Sequence, residues 1–395
     1  MERSATEGPN VIDDIQAHPA QLRLAGVFSS VNLLGPPMND KLIRLVVHLF
    51  SPQEAEVAAH IPPWVPVGLR TIALRFGRRV GEIRPLVQAM AERHVILELD
   101  RRYALIPLLP GMFEYVLMNG QDSEWHKKYS RLVVDLVDTG YLKQYSKHPL
   151  PAIRNIPIQV AIERKSRALE SDRISEMIDR HRYMAVTHVC QCRQTTRFEG
   201  RECKRATPED GCLIFGGVAK WVQKRDLGRL VSKQEMRDIV ADRYEKKLVF
   251  MAGNLAPAAV NAICTCCECC CQGLKILEEH GGMALVAEAH FLAAVDANTC
   301  EDCGKCVKVC NTHAHRMEDE RHVFEVRKCI GCGLCLDVCG AGAIRFVENR
   351  GFKPPASGYV ELGLKLLPNA VRSGIEVRNL RRSDPPPQHR LSGDG

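Results

Sequence analysis

Apolar residues along this chain change period several times. The first 38 residues have loop composition and predict little order. From Asp40 the apolar positions recur at three- and four-residue spacing, the mark of helices with one buried face. Ser51-Pro52-Gln53-Glu54 combines an N-cap serine, a proline at the first helical position and a capping-box glutamate, opening a helix over Ala55 to His60. Ile61-Pro62-Pro63-Trp64-Val65-Pro66 stops it. Two helices follow, over Leu69 to Phe76 and Gly81 to His94, with a turn at Gly77. The second has Ile83, Leu86, Val87 and Met90 on its core face, and its Pro85 is best tolerated in the first turn. Val95 to Leu99 and Tyr103 to Ile106 then read as two short strands joined at Asp100-Arg101-Arg102. Between 111 and 185 the period is again helical. Leu132, Val133, Leu136 and Val137 form one face, closed by Gly140; Ile174, Met177 and Ile178 form another, with Pro149, Pro151 and Pro157 at the joint. Ser232 caps a helix carrying Met236, Ile239 and Val240, and His322 to Val326 alternates like a hairpin strand. Tyr359, Val360, Leu362, Leu366 and Leu367 predict a short amphipathic helix on the region before it, and beyond Arg381 the composition predicts disorder.

The helix pair and hairpin between 69 and 106 resemble a winged-helix unit. Arg70, Arg75, Arg78, Arg79, Arg84, Arg93, Arg101 and Arg102 could meet phosphates, but Glu82, Glu92, Glu98 and Asp100 offset them. Gln88 is the only amide on the second helix that could read a base, so docking is the preferred role and nucleic-acid binding the lesser one.

A chain of 395 residues with ordinary apolar content holds several domains. The pattern predicts an α+β multidomain protein with a mostly helical N-terminal half. Its expected parts are a loop over 1–38, a winged-helix-like domain over 39–110 and a helical connector over 111–185. A cysteine-rich metal-binding region follows over 186–290, then a dicluster domain over 291–350 and a short helix with a disordered tail over 351–395. The polar N-terminus lacks an apolar signal core, and the most apolar run, Met283 to Val295, is too short to span a bilayer. Eighteen cysteines in so long a chain point to metal in a reducing cytoplasm rather than to disulfides. The net charge of +7 is modest and is accounted for by solvated arginines. Trp125 and Tyr129 read as core, His181 as a solvated helix end and His188 as a loop residue.

The strongest chemical signal is a pair of cysteine runs: Cys300, Cys303, Cys306 and Cys310, then Cys329, Cys332, Cys335 and Cys339. Their C-x2-C-x2-C-x3-C spacing resembles that of the bacterial two-cluster ferredoxins over roughly residues 296 to 347. The resemblance implies one [4Fe–4S] cluster on Cys300, Cys303, Cys306 and Cys339, and a second on Cys329, Cys332, Cys335 and Cys310, because the fourth cysteine of each run crosses over. Gly304, Gly331 and Gly333 lie between ligands, where backbone must approach the inorganic core. The proline that usually follows the fourth cysteine is Asn311 in one run and Gly340 in the other, which bears on turn stiffness rather than on ligation.

Ten cysteines remain. Cys190, Cys192, Cys203 and Cys212 suffice for one four-coordinate centre, with Cys264, Cys266, Cys267, Cys269, Cys270 and Cys271 as alternative or additional ligands. Adjacent side chains diverge, so neighbouring cysteines in this knot should not all reach one metal. A third iron–sulfur centre is the first expectation and zinc the alternative. Arg193, Arg197, Arg201, Lys204 and Arg205 offset thiolate charge nearby. Together with the N-terminal part, the arrangement resembles uncharacterised 4Fe–4S proteins of anaerobic bacteria and archaea. No P-loop or dinucleotide fingerprint occurs, so a separate flavoprotein or dehydrogenase or reductase subunit is the expected redox partner. The sequence thus points to an iron–sulfur electron-transfer protein. The alternatives are a reductase acting at the extra centre and a redox-sensing DNA-binding regulator.

Overall fold

The computed structural model describes residues 16–145, 147–162, 172–279 and 285–383. Residues 1–15 and the tail after 383 lie outside the described residues. The chain mixes helices with short antiparallel sheets.

In the N-terminal part the predicted signals form as expected. Pro52–Ala58 is capped by Ser51, whose Oγ accepts from the Glu54 amide at 3.3 Å while Glu54 accepts from the Ser51 amide at 2.9 Å. Helices Leu69–Phe76 and Val80–Glu92 are separated by Gly77 in the left-handed region (φ 72°). Strands β1 (Val67–Gly68), β2 (Leu97–Leu99) and β3 (Arg102–Ala104) form a small sheet in the order β1-β3-β2. Pro85 is the sixth residue of its helix rather than part of the first turn. It is tolerated because Pro85 and Gly81 are both exposed, leaving the freed carbonyl to water.

The expected loop over 1–38 is not one throughout. Pro19–Phe28 is a helix with a capping box at His18, and Ala20, Leu24 and Phe28 form a buried stripe four residues apart. Tyr129 is buried, and Trp125 stacks on His48 at 4.8 Å, so both are packing residues.

The centre of the molecule is a six-stranded antiparallel sheet. It is built from β4 (Ile153–Ile156), β5 (Met184–Thr187), β6 (Leu213–Phe215), β7 (Gly228–Val231), β8 (Val249–Gly253) and β9 (Ala262–Cys266), in the order β4-β8-β9-β6-β5-β7. It draws strands from both sides of residue 185, so the expected connector and cysteine-rich region share one sheet. Strands of three to five residues, mostly buried on both faces, carry no alternation to reveal them. His181 is buried rather than solvated; its Nδ1 lies 2.7 Å from the Met177 carbonyl and its ring packs on Phe215.

Towards the C-terminus, β10 (Phe291–Val295) pairs with β13 (Ile344–Glu348), and β11 (His315–Glu318) with β12 (Arg321–Phe324). Two short helices, Lys305–Val309 and Leu334–Asp337, pack between them. The last helix, Tyr359–Ser383, is 25 residues long, not short, and leaves this region for the N-terminal part. Leu362 joins the core of the large sheet while Val377 is buried in the N-terminal core. Arg381 donates to the carbonyls of Ser29 and Gly35 and to the Tyr145 hydroxyl, and His148 Nε2 lies 2.8 Å from Glu376. No helix among the described residues is long and apolar enough to cross a membrane.

Candidate metal centres

In the C-terminal region each cysteine run is a loop entering a short helix through a left-handed glycine, Gly304 (φ 68°) and Gly333 (φ 87°). A Cβ at Gly333 would lie 2.5 Å from that of Ala161, so the close backbone approach requires glycine. Cys310, Cys329, Cys332 and Cys335 all line one small cavity. Cys306 and Cys335 share the apolar cluster around Ala293 and Ile344, with Cys329 and Cys339 packed against it, and Cys303 is exposed. Burial pushes the Cys332 thiol up to about 12 and that of Cys306 up to about 11. Thiols so buried give up their protons only to a cation that replaces them, which suits these groups to metal. The Ala314 amide donates to Cys310 Sγ at 3.2 Å, a bond of the kind that tunes a cluster. Beside the first run stands a pair that sequence reasoning missed. His315 Nδ1 is 2.8 Å from His322 Nε2, and His322 Nδ1 is 3.9 Å from Cys300 Sγ.

The other ten cysteines divide into two groups. Cys203, Cys267, Cys269 and Cys270 bring four sulfurs within 4.8 Å of one another. Cys203 is 3.6 Å from both Cys267 and Cys269, and Cys269 is 3.6 Å from Cys270. A tetrahedral ion with metal–sulfur bonds of about 2.3 Å gives a sulfur–sulfur edge of about 3.8 Å. Thiolates around a cube stand farther apart, with an iron–sulfide core between them. Among the described residues, no three of the eight ferredoxin-type cysteines close up in this way. The quartet therefore fits one ion rather than a cluster. Of the groupings the sequence leaves open, the structure brings Cys203 to the knot cysteines rather than to Cys190, Cys192 and Cys212.

The second group is Cys190, Cys192, Cys212, Cys264, Cys266 and Cys271, a line of six thiols in which Cys212 and Cys264 lie 3.9 Å apart and no three sulfurs come within 4.8 Å of one another. Local geometry produces the split. Cys264 and Cys266 are two apart on β9 and share a face, whereas Cys267 follows the strand end and turns to the quartet. Cys270 and Cys271 divide the same way, as divergence of adjacent side chains requires.

Between the groups lies Arg193, 1% exposed. Its Nη1 donates to the Asp210 carbonyl at 2.8 Å and its Nη2 to that of Thr265 at 2.5 Å. Burial opposes its charge, but the thiols of Cys190, Cys267, Cys203 and Cys266 more than offset this and hold it protonated. Of the basic residues read as offsets, Arg197 pairs with Glu209 and Arg201 with Glu199, and both are exposed there. Arg205 bonds Glu268 at 2.6 Å and the Lys308 carbonyl at 2.9 Å. Lys204 donates its amide to Cys269 Sγ at 3.4 Å. His188 is a surface residue 3.2 Å from Asp226.

The six thiols line a cavity of about 440 Å³ together with Leu109, Phe113, Leu142 and Leu150. Glu114 also lines it. The Gly111 amide donates to its carboxylate at 2.5 Å, and burial pushes its pKa up to about 7. The only sequence signal for this residue was a single carboxylate in the apolar run from Leu108 to Leu117.

The dicluster region and the knot are tied by Asn311, 2% exposed, in the place of the usual proline. Its Oδ1 accepts from the Glu268 amide at 3.2 Å and its Nδ2 donates to the Lys247 carbonyl at 2.9 Å.

Residues 293–340 match the family model of the 4Fe-4S dicluster domain, a span that contains all eight cysteines of the two runs. Neither the curated proteins nor the solved structures contain a significant match to the chain.

Proposed function

We propose that this protein is an iron–sulfur electron carrier that takes single electrons at a surface cluster and passes them inward. Cys300, Cys303, Cys306 and Cys339 hold one [4Fe–4S] cluster; Cys329, Cys332, Cys335 and Cys310 hold the other. The observation that carries this reading is the gathering of Cys310 with the second run around one cavity, within a region matching the dicluster family. Exposure of Cys303 supports a surface position for the first cluster, where a flavoprotein or a dehydrogenase or reductase subunit would dock. The second cluster faces the interior, one residue from the Asn311 bridge. The quartet Cys203, Cys267, Cys269 and Cys270 holds a single structural ion, zinc by its four-thiolate geometry. A reducing cytoplasm suits the free cysteines.

The unit over 39–110 is a winged helix used for docking. Its order of two helices, strand, two helices and hairpin supports the fold, and its wing is occupied by protein. Trp221 Nε1 donates to the Glu98 carbonyl at 2.7 Å, and Arg225 bonds the Glu98 carboxylate at 2.8 Å. Arg93, one of the candidate phosphate contacts, is held by Glu54 at 2.8 Å.

The test is anaerobic isolation with iron, sulfide and zinc counted per chain and the reduced spectrum recorded. Cys303→Ser and Cys332→Ser should each lose or convert one cube, removing about one to four irons and the magnetic coupling between the two cubes. Unchanged iron and an unchanged spectrum in both variants would sink the assignment.

A further inference from the structure

The six-thiol line has no part in the dicluster pair or the quartet. We propose that Cys190, Cys192, Cys212, Cys264, Cys266 and Cys271 hold a further iron–sulfur core, and that the adjoining chamber admits a neutral, largely apolar small molecule to its open side.

Three observations lead there. All six thiols are buried or half-buried and line one cavity, and six sulfurs exceed what one tetrahedral ion can use. Arg193 is the only cation described among them, and it is shared with the quartet. A set of thiolates with that little compensation needs metal charge to remain buried. The chamber, at about 440 Å³, falls within the range of small-molecule sites and far exceeds the space of a single ion.

The shape of the chamber selects the ligand class. Its lining combines the thiols with Leu109, Phe113, Leu142 and Leu150. An anion would meet thiolates and the Glu114 carboxyl. Two of the N–H groups of Arg193 already donate to the Asp210 and Thr265 carbonyls, and its charge is set against the surrounding thiols. A neutral molecule meets no such opposition, and its apolar body replaces water against the leucines. Cys266 and Cys271 belong to the same apolar core as Ile330 and Leu334, against which Cys332 packs, so the core lies on the inner side of the second cluster. Only this last point rests on the proposed function.

The experiment uses the full chain, isolated and reconstituted anaerobically with iron and sulfide. Wild type should carry about twelve irons or more, and Cys192→Ala/Cys271→Ala should lose about four with matching sulfide, keeping the quartet's ion and the eight irons of the dicluster pair. A wild-type count of about eight, or an iron content unmoved by the double variant, overturns the proposal. Failure of the dicluster reading would show separately, as insensitivity to Cys332→Ser. The chamber is tested with n-butyl isocyanide, which has an iron-binding carbon and an apolar tail. It should shift the reduced electron paramagnetic resonance spectrum of wild type, and Leu109→Trp, which fills the chamber without touching a thiol, should abolish the shift at equal iron content. No shift in wild type, or an equal shift in both proteins, overturns the ligand site.

Discussion

The carboxamide of Asn311 reaches segments 43 and 64 residues earlier in the chain, receiving one backbone hydrogen bond and donating another. Asn311→Ala would leave a half-buried amide and a half-buried carbonyl without these partners, at a cost of about 1–3 kcal/mol each at most. The expected result is a lower thermal midpoint with iron content unchanged. Loss of iron at unchanged stability would mean instead that the residue shapes the cluster site itself. His94 has the opposite character: 8% exposed, with neither ring nitrogen partnered, and in the left-handed region at φ 61°. Burial, aided by the Arg225 charge, lowers its pKa from 6.5 to about 4. The unfolded chain therefore binds the extra proton between those values, and stability falls as pH drops through that window, by up to about 3 kcal/mol. His94→Asn keeps a residue that tolerates the left-handed backbone. Denaturation midpoints between pH 7.5 and 5 should fall less steeply for the variant; parallel curves would remove His94 as the cause. At this scale the eight regularly spaced cysteines were fully legible. Asn311 was legible only as a departure, since its partners at Lys247 and Glu268 are tertiary.

Helices announced themselves where a cap and a stripe coincided. Ser51 with Glu54, and Ser232 with Met236, are local signals that need no distant partner, and both helices formed. The strands β4 to β9 did not, because their pairing joins segments far apart in sequence and their residues are apolar on both faces. That failure also hid the division of the ten cysteines. Which sulfurs meet depends on the alternation along β9 and on where the strand ends, and neither could be read before the strand itself was known. The C-terminal helix was underestimated for a related reason: its polar composition hides two separate contact sites, one at each end. Arg381→Ala removes bonds to two carbonyls and a hydroxyl at its far end. It should increase amide exchange across residues 369–383 and near Ser29 while leaving the segment around Leu362 protected. Uniform exchange along the whole helix would show that the far anchor carries nothing.

Across the whole molecule, the quartet is positioned to hold the dicluster region against the sheet. Cys203 comes from the loop after Gln191–Phe198, and its three partners follow directly on β9. From the same loop Arg205 reaches Glu268 in the knot and the Lys308 carbonyl between two proposed cluster ligands. An ion bound by the four thiols would fix this loop, and with it one side of the interface that Asn311 closes on the other. Structural four-thiolate sites contribute their binding free energy to folding, commonly on the order of 10 kcal/mol, though a site embedded in a larger core loses less when emptied. Cys203→Ala should therefore remove one ion per chain, leave the iron of the dicluster pair in place, and lower stability by several kcal/mol. The loosening should be local, with faster exchange at Lys204 to Ala206 and around Asn311 but little change in the N-terminal helices. A variant that also lost the dicluster iron would mean that the quartet builds the cluster sites. One that lost no ion would return Cys203 to the free thiols and leave the interface to hydrogen bonds alone.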